Sequence, residues 1–339
     1  MEINRILLSL VKLVAFVSFM VLSVFLLVIV LMTNGYFHEK IQNQSYTKPL
    51  KSNSNPIKIW KSESSSMLNE EEKYGKELIE HTAVYFSSKG KISKNGNGLN
   101  CQNCHLEAGA KPFGNNYAKV NSEYPKFRER SGKVETISSR INDCFERSLN
   151  GKAIDTNSKE MISMVAYIKW VGKNINSVSS DQKGLGMENL AFLDRKADVG
   201  KGKLIYAKKC SSCHGANGEG KWKENNVEFL YPPLWGENSY NDAAGLFRLS
   251  RFASFVYDNM PLGVQHGNNV LSKEEAWDVA AFVNSMPRPH KHFPKDWPDI
   301  SKKPVDHPFG PFSDQFTEEQ HKYGPFKPIA EAKTKHQLK

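Results

Sequence analysis

No basic run with interleaved aromatics occurs in this chain of 339 residues, so its net charge of +10 does not read as a nucleic-acid surface. Acidic residues are the scarcer sign, 36 against 46 Lys and Arg. That balance suits a small anionic substrate or an acidic redox partner, or serves solubility alone. Charge is missing altogether from Leu13 to Met32, a run of twenty residues. About twenty apolar residues cross a bilayer as a helix. The run ends in Met32-Thr33-Asn34-Gly35 without a small-x-small cleavage site. This favours a retained anchor over a removed signal peptide. Arg5 and Lys12 precede it, which puts the N-terminus in the cytoplasm and everything after Gly35 in the periplasm.

Cysteine is also scarce. There are five, and four of them form Cys101-Gln-Asn-Cys104-His105 and Cys210-Ser-Ser-Cys213-His214. In a CxxCH motif two thiols add to one haem and the adjacent His becomes the proximal iron ligand. Zinc sites want four ligands, and a redox CxxC does not need a following His. Two such motifs in an exported chain therefore predict two covalently bound haem c groups.

The surroundings of the two motifs repeat. A helix predicted over Asn69–Ser87 leads to the first motif. After a long irregular stretch, Asn157 and Glu160, spaced like a capping box, open a helix with Met161, Val165 and Ile168 on one face. A helix predicted over Ala197–Lys208 leads to the second. After another irregular stretch, Ser272 and Glu275 open a last helix with Ala276, Val279, Ala280 and Val283 as its apolar stripe. The expected architecture is mainly α: two cytochrome c domains, each wrapped around one covalent haem, after an N-terminal transmembrane helix. Its segments are an anchor over 1–35, a polar tether over 36–66, domain 1 over 67–173, a linker over 174–195, domain 2 over 196–287 and a tail over 288–339. The tail's dispersed Phe293, Trp297, Phe309 and Phe312 suggest that it lies extended over the domains.

The second axial ligands follow by elimination. Between the second motif and the last helix stand Met260 and His266. Met260, in Asn259-Met260-Pro261-Leu262-Gly263, is preferred, and Met286 reads as packing. A Met ligand raises the haem potential. Between His105 and Asn157 there is no Met and no His, only Cys144, the fifth and unpaired cysteine. Ligation by its thiolate would lower the potential of the first haem. The alternative is a small buried hydrophobe, with Lys or water at the iron. In a helix over 136–149, Arg140 and Ser148 lie four residues either side of Cys144. Arginines near a haem-bound sulfur suggest a site for a small sulfur oxyanion. Salt bridges to Glu129, Glu135 and Glu146 are the plainer reading of the same arginines.

Over residues 68–290 the chain resembles the dihaem thiosulfate dehydrogenase and tetrathionate reductase family. The likeness is carried by Lys111-Pro-Phe-Gly-Asn-Asn-Tyr117, Tyr124-Pro125, Arg130-Ser-Gly, Arg140-Ile-Asn-Asp-Cys144-Phe-Glu-Arg147-Ser148-Leu-Asn-Gly151 and Asn259-Met260-Pro261. The resemblance implies an oxidoreductase that joins two thiosulfates to tetrathionate with release of two electrons, reversibly. It implies a His/Cys-ligated active-site haem (His105, Cys144) and a His/Met-ligated transfer haem (His214, Met260). Cys144 would be the redox-active sulfur, with Arg130, Arg140 and Ser148 at substrate-binding positions. The expected partners are thiosulfate, tetrathionate, an external electron carrier and the membrane. A non-catalytic dihaem carrier, or a sulfur-oxidation cytochrome acting on a carrier protein, is the alternative.

Overall fold

In the computed structural model, residues 2–33, 59–175, 182–264 and 266–337 are described. The chain divides into two units, Met1–Pro56 and Ile57–Lys339. The first is a helix over Glu2–Thr33. Within it Leu8–Leu27 is long and apolar enough to cross a membrane, with mean hydropathy 2.6. The predicted tether lies outside the described residues as far as position 58.

The second unit is mainly helical and holds two cytochrome c domains built on one plan. In domain 1 the Glu70–Glu80 helix packs against the Lys159–Val171 helix, and in domain 2 the Val199–Lys209 helix packs against the Lys273–Ser285 helix. Each crossing turns on a glycine. A Cβ at Gly75 would sit 1.9 Å from the Ser163 carbonyl oxygen, and one at Gly202 would sit 1.9 Å from that of Asp278. Only a residue without a side chain lets the two backbones approach so closely. Around the crossings lie Leu78, Met161, Met164 and Tyr167 in domain 1, and Tyr206, Trp277, Val279 and Phe282 in domain 2.

The elements differ from the sequence expectation in definite ways. The helix predicted over Asn69–Ser87 breaks at His81 (φ −124°, ψ 35°) into Glu70–Glu80 and Thr82–Phe86. The Asn69/Glu72 capping box starts the first piece. At the later helix of domain 1 the cap is Ser158, which accepts from the Met161 N–H, rather than Asn157, whose own N–H is taken by Asp155. The Ser272/Glu275 capping box forms. The stretch after His214 is not irregular throughout, because Leu249–Asn259 is helical and buries Phe252, Val256 and Asn259.

The described parts of the tether, linker and tail are more firmly packed than their composition suggests. Trp60 is in the domain 1 core, and Ile59 bridges Lys183. In the linker, Arg195 forks onto Asp278 at 2.8 and 2.9 Å, and Ala191 accepts from the Trp277 indole at 3.2 Å. The tail is not simply extended: it forms helices over Glu318–Tyr323 and Lys327–Gln337, and it buries Phe326 and Ile329 in the domain 2 core. Asp306, fully buried, receives Arg248 at 2.6 Å, which holds its carboxyl below the usual range despite burial. Apolar residues at irregular spacing carry no periodic signal, so this packing was not legible as elements.

Gly75→Ala and Gly202→Ala should each force two packed helices apart and lower stability by about 2–4 kcal/mol. Thermal unfolding of each variant, followed by circular dichroism, measures this; unchanged melting would mean the crossings do not set the helix spacing.

Candidate functional site

The second motif is delivered by the end of the Val199–Lys209 helix, where Cys210 caps the helix and Ser211–His214 forms one further turn. His214 is buried, with Nδ1 2.8 Å from the Pro232 carbonyl oxygen. Nδ1–H therefore donates there and Nε2 is left for a metal. Burial moves this imidazole below its ordinary pKa and keeps it in the neutral, ligating form. Beside it is a cavity of about 500 Å³ whose walls include Cys210, Cys213, His214, Met260, Phe252 and Leu271. Two thiols, a neutral imidazole, a thioether and apolar walls are the donor set and lining that a covalent haem requires. Met260 reaches this cavity from the end of the Leu249–Asn259 helix. His266 does not: its ring stacks on Phe113 at 3.6 Å and its Nδ1 faces Asp258 at 3.2 Å. Met286 packs against the domain 2 core.

The first motif repeats the proximal arrangement. Cys101 opens a short 3-10 turn and donates its N–H to Thr82 Oγ1 at 3.1 Å. His105 Nδ1 lies 2.6 Å from the Asn115 carbonyl oxygen. Burial takes His105 down to about 4; the Asn115 bond opposes this and Arg140 adds to it. Burial pushes the Cys101 and Cys104 thiols up to about 12, and both also feel the sulfur of Cys144. The buried Tyr117 hydroxyl is raised by burial and then by Cys101, Cys144 and Cys104. Cys101, Cys104 and Cys144 are thus near neighbours around Tyr117, whose ring lies 4.6 Å from that of His105. Cys104 also lines the cavity of the second motif, so the two sites adjoin.

Cys144 sits on the Ile137–Arg147 helix, which is capped by Thr136 and runs slightly shorter than the expected 136–149. Ser148 is the C-cap, still in helical conformation, so it keeps its place on the Cys144 face. Arg140 is held above its ordinary pKa chiefly by Cys144, which puts guanidinium and sulfur side by side. Arg130 stands at the tip of the hairpin formed by Lys126–Arg128 and Lys133–Glu135. Its Nη1 donates to the Ala243 carbonyl at 3.3 Å. Burial, then Arg147 and Arg140, pull its pKa down to about 10. Three guanidiniums therefore converge.

The plainer reading of these arginines named the wrong carboxylates. Arg147 is paired with Asp296 at 2.8 Å through both terminal nitrogens and with Asp143 at 3.4 Å, while Arg140 meets Asp143 at 3.4 Å. Glu135 approaches Arg128 at 4.0 Å instead. Asp296, Phe293 and Trp297 come from the tail. The only sequence signal for them was an excess of aromatics in a polar segment.

Comparison with known proteins identifies the family. Residues 91–176 match the family described as SoxA/TsdA, cytochrome c domain, and residues 199–287 match cytochrome c. The thiosulfate dehydrogenase of Allochromatium vinosum is 40% identical over 202 residues, 57% of this chain and 71% of that protein. The chain belongs to the thiosulfate dehydrogenase family. The thiosulfate dehydrogenase of Psychrobacter arcticus is 41% identical over 206 residues, 60% of this chain and 61% of that protein. Among solved structures, thiosulfate dehydrogenase (TsdBA) from Marichromatium purpuratum in its "as isolated" form superposes with a TM-score of 0.60 at 32% identity, covering 72% of this chain and 52% of that one. The chain thus spans about three fifths of its Psychrobacter relative and about half of the solved chain. Like other members of the thiosulfate dehydrogenase family, it has two cytochrome c domains, and these take two haem c groups.

A pyridine haemochrome assay of the purified chain should read two haem c per polypeptide. The double variant Cys210→Ala/Cys213→Ala should read one, with the first site still loaded.

Proposed function

We propose that this protein joins two thiosulfates to tetrathionate, and runs the reverse reaction, at the site formed by Cys101, Cys104, His105 and Cys144. The observation that carries this reading is the placement of the only cysteine outside the CxxCH motifs. Cys144 is a near neighbour of Cys101 and Cys104 in the first motif and has Arg140 beside it, with Arg130 near Arg140. In this reading His105 and Cys144 would hold the iron of the first haem, and His214 and Met260 that of the second. The haems would supply one-electron acceptor chemistry, and Met ligation would give the second the higher potential.

The chain's own residues account for the sulfur chemistry. Arg130 and Arg140 draw in thiosulfate dianions and offset the repulsion that opposes their approach. Ser148, on the Cys144 face, offers a hydroxyl to an oxyanion. The Cys144 sulfur bonds to the terminal sulfur of one thiosulfate as two electrons leave. A second thiosulfate attacks that terminal sulfur. The bond to Cys144 breaks, its electron pair returns to Cys144, and tetrathionate departs. The balance is two thiosulfates consumed, one tetrathionate formed and two electrons passed to an external acceptor. The apolar helix at Leu8–Leu27 anchors the exported domains to the membrane on its periplasmic side, with the N-terminus in the cytoplasm.

Purified protein with thiosulfate and ferricyanide should yield tetrathionate. Cys144→Gly should lose turnover by at least about a thousandfold while retaining two haems; turnover at the wild-type rate would refute the assignment. Electron paramagnetic resonance of the oxidised wild type should show a thiolate-bound low-spin centre that this variant lacks.

Met260→Leu should lower the potential of the second haem and slow electron exit, leaving the thiolate-bound signal intact. Spectroelectrochemical titration decides this, and an unchanged potential would remove Met260 from the iron.

A further inference from the structure

The tail crosses the Cys144 helix and the Arg130 hairpin over residues 290–298. Lys291 Nζ donates to the carbonyls of Glu146 and Gly151 at 3.2 and 2.6 Å, at the end of that helix. The Phe293 ring lies 3.8 Å from the Arg147 guanidinium, which is forked onto Asp296. The Trp297 N–H donates to the Arg130 carbonyl at 2.6 Å, and the Trp297 ring lies 5.7 Å from the Arg130 guanidinium. Pro298 rests on the hairpin turn, so a Cβ at Gly132 would come within 2.6 Å of it. Trp297 is itself fixed by its indole N–H, 3.0 Å from His307 Nε2. None of these tail residues falls within the matched family segments, which end at 287.

We infer that this strap is a working part of the anion site: Trp297 positions Arg130, and Asp296 removes Arg147 from the charges that substrate meets. Three guanidiniums and two carboxylates converge here. With Arg147 spent on Asp296 and sharing Asp143, Arg130 is the guanidinium with no carboxylate in hydrogen-bond range among the described residues. A ring face holds a guanidinium in place without cancelling its charge, which leaves its N–H donors for an oxyanion. Trp297 is thus a positioning residue. The choice of thiosulfate as ligand rests on the reading above.

The test compares Trp297→Leu with Trp297→Phe in the full-length holoprotein. Both variants fill the space and both lose the bond to His307, but only Phe keeps a ring face. Thiosulfate affinity is read by anaerobic calorimetry on protein held fully reduced with a titanium(III) reductant, where no electron can leave. KM and kcat are read with ferricyanide. Trp297→Leu should weaken binding about fivefold and raise KM equally, with kcat within about twofold of wild type, while Trp297→Phe stays within about twofold in both. Asp296→Asn, which frees Arg147, should bind thiosulfate about threefold tighter at low salt and with a steeper salt dependence. Equal affinity of Trp297→Leu and wild type, or equal loss in the Leu and Phe variants, would overturn the proposal. A wild type that binds thiosulfate but does not turn it over sinks the catalytic reading alone, because the affinity comparison still decides the role of the strap. A wild type that binds none overturns the strap's role along with the anion site.

Discussion

Each domain depends on a histidine whose Nδ1–H is tied to a loop carbonyl, Asn115 for His105 and Pro232 for His214. That bond fixes the tautomer and the ring plane and leaves Nε2 available to a metal. The rest of each domain serves to hold the motif and this carbonyl together. Two helices meet at a glycine, Gly75 or Gly202, and one of the pair ends close to the motif. Because the histidine arrangement is the same in both domains, the domains diverge in what surrounds it: Cys144 beside arginines in one, and the Met260 thioether among apolar side chains in the other.

Charge at the first site is arranged by competition. Burial first, and then repulsion from the Arg147 and Arg140 guanidiniums, pull Arg130 down to about 10. Such a cluster persists only if some of its charge is met. Asp143 and Asp296 meet part of it, and Cys144 meets another part, which is why Arg140 keeps its proton more firmly than usual. What remains is a residual positive field directed at a sulfur, a setting in which a dianion gains more than a neutral molecule of the same size.

The sequence was informative where chemistry or period constrains it. CxxCH announces its cofactor, the capping box at Ser272 marks a helix start, and the absence of Met and His after His105 directs attention to Cys144. The sequence was silent where geometry is set by distant segments. Nothing local marks Gly75 and Gly202 as crossing points, since each looks like an ordinary helical glycine. Asn157 and Ser158 are both good caps, and only the backbone path chooses between them. The partners of Arg147 could not be read because Asp296 lies 149 positions away. The break at His81 answers a tertiary contact, for its ring meets Glu228 of domain 2 at 2.9 Å.

The two sites are mechanically joined as well as adjacent. Asn259, the residue before Met260, is fully buried and donates to the Phe113 carbonyl at 3.1 Å. Phe113 stacks on His266 of domain 2, and two residues further on is Asn115, the anchor of His105. The loop that orients His105 therefore also braces the loop that carries Met260. Glu228 adds a second tie, accepting from Asn100 Nδ2 at 2.9 Å immediately before Cys101. Asn241 adds a third, donating to the Glu146 carbonyl on the Cys144 helix at 2.9 Å. With three buried or half-buried polar bonds spanning the boundary, sliding one domain over the other would leave each donor or acceptor unpaired, at about 1–3 kcal/mol apiece. A fixed separation between the sites follows from these bonds, independently of what occupies either one.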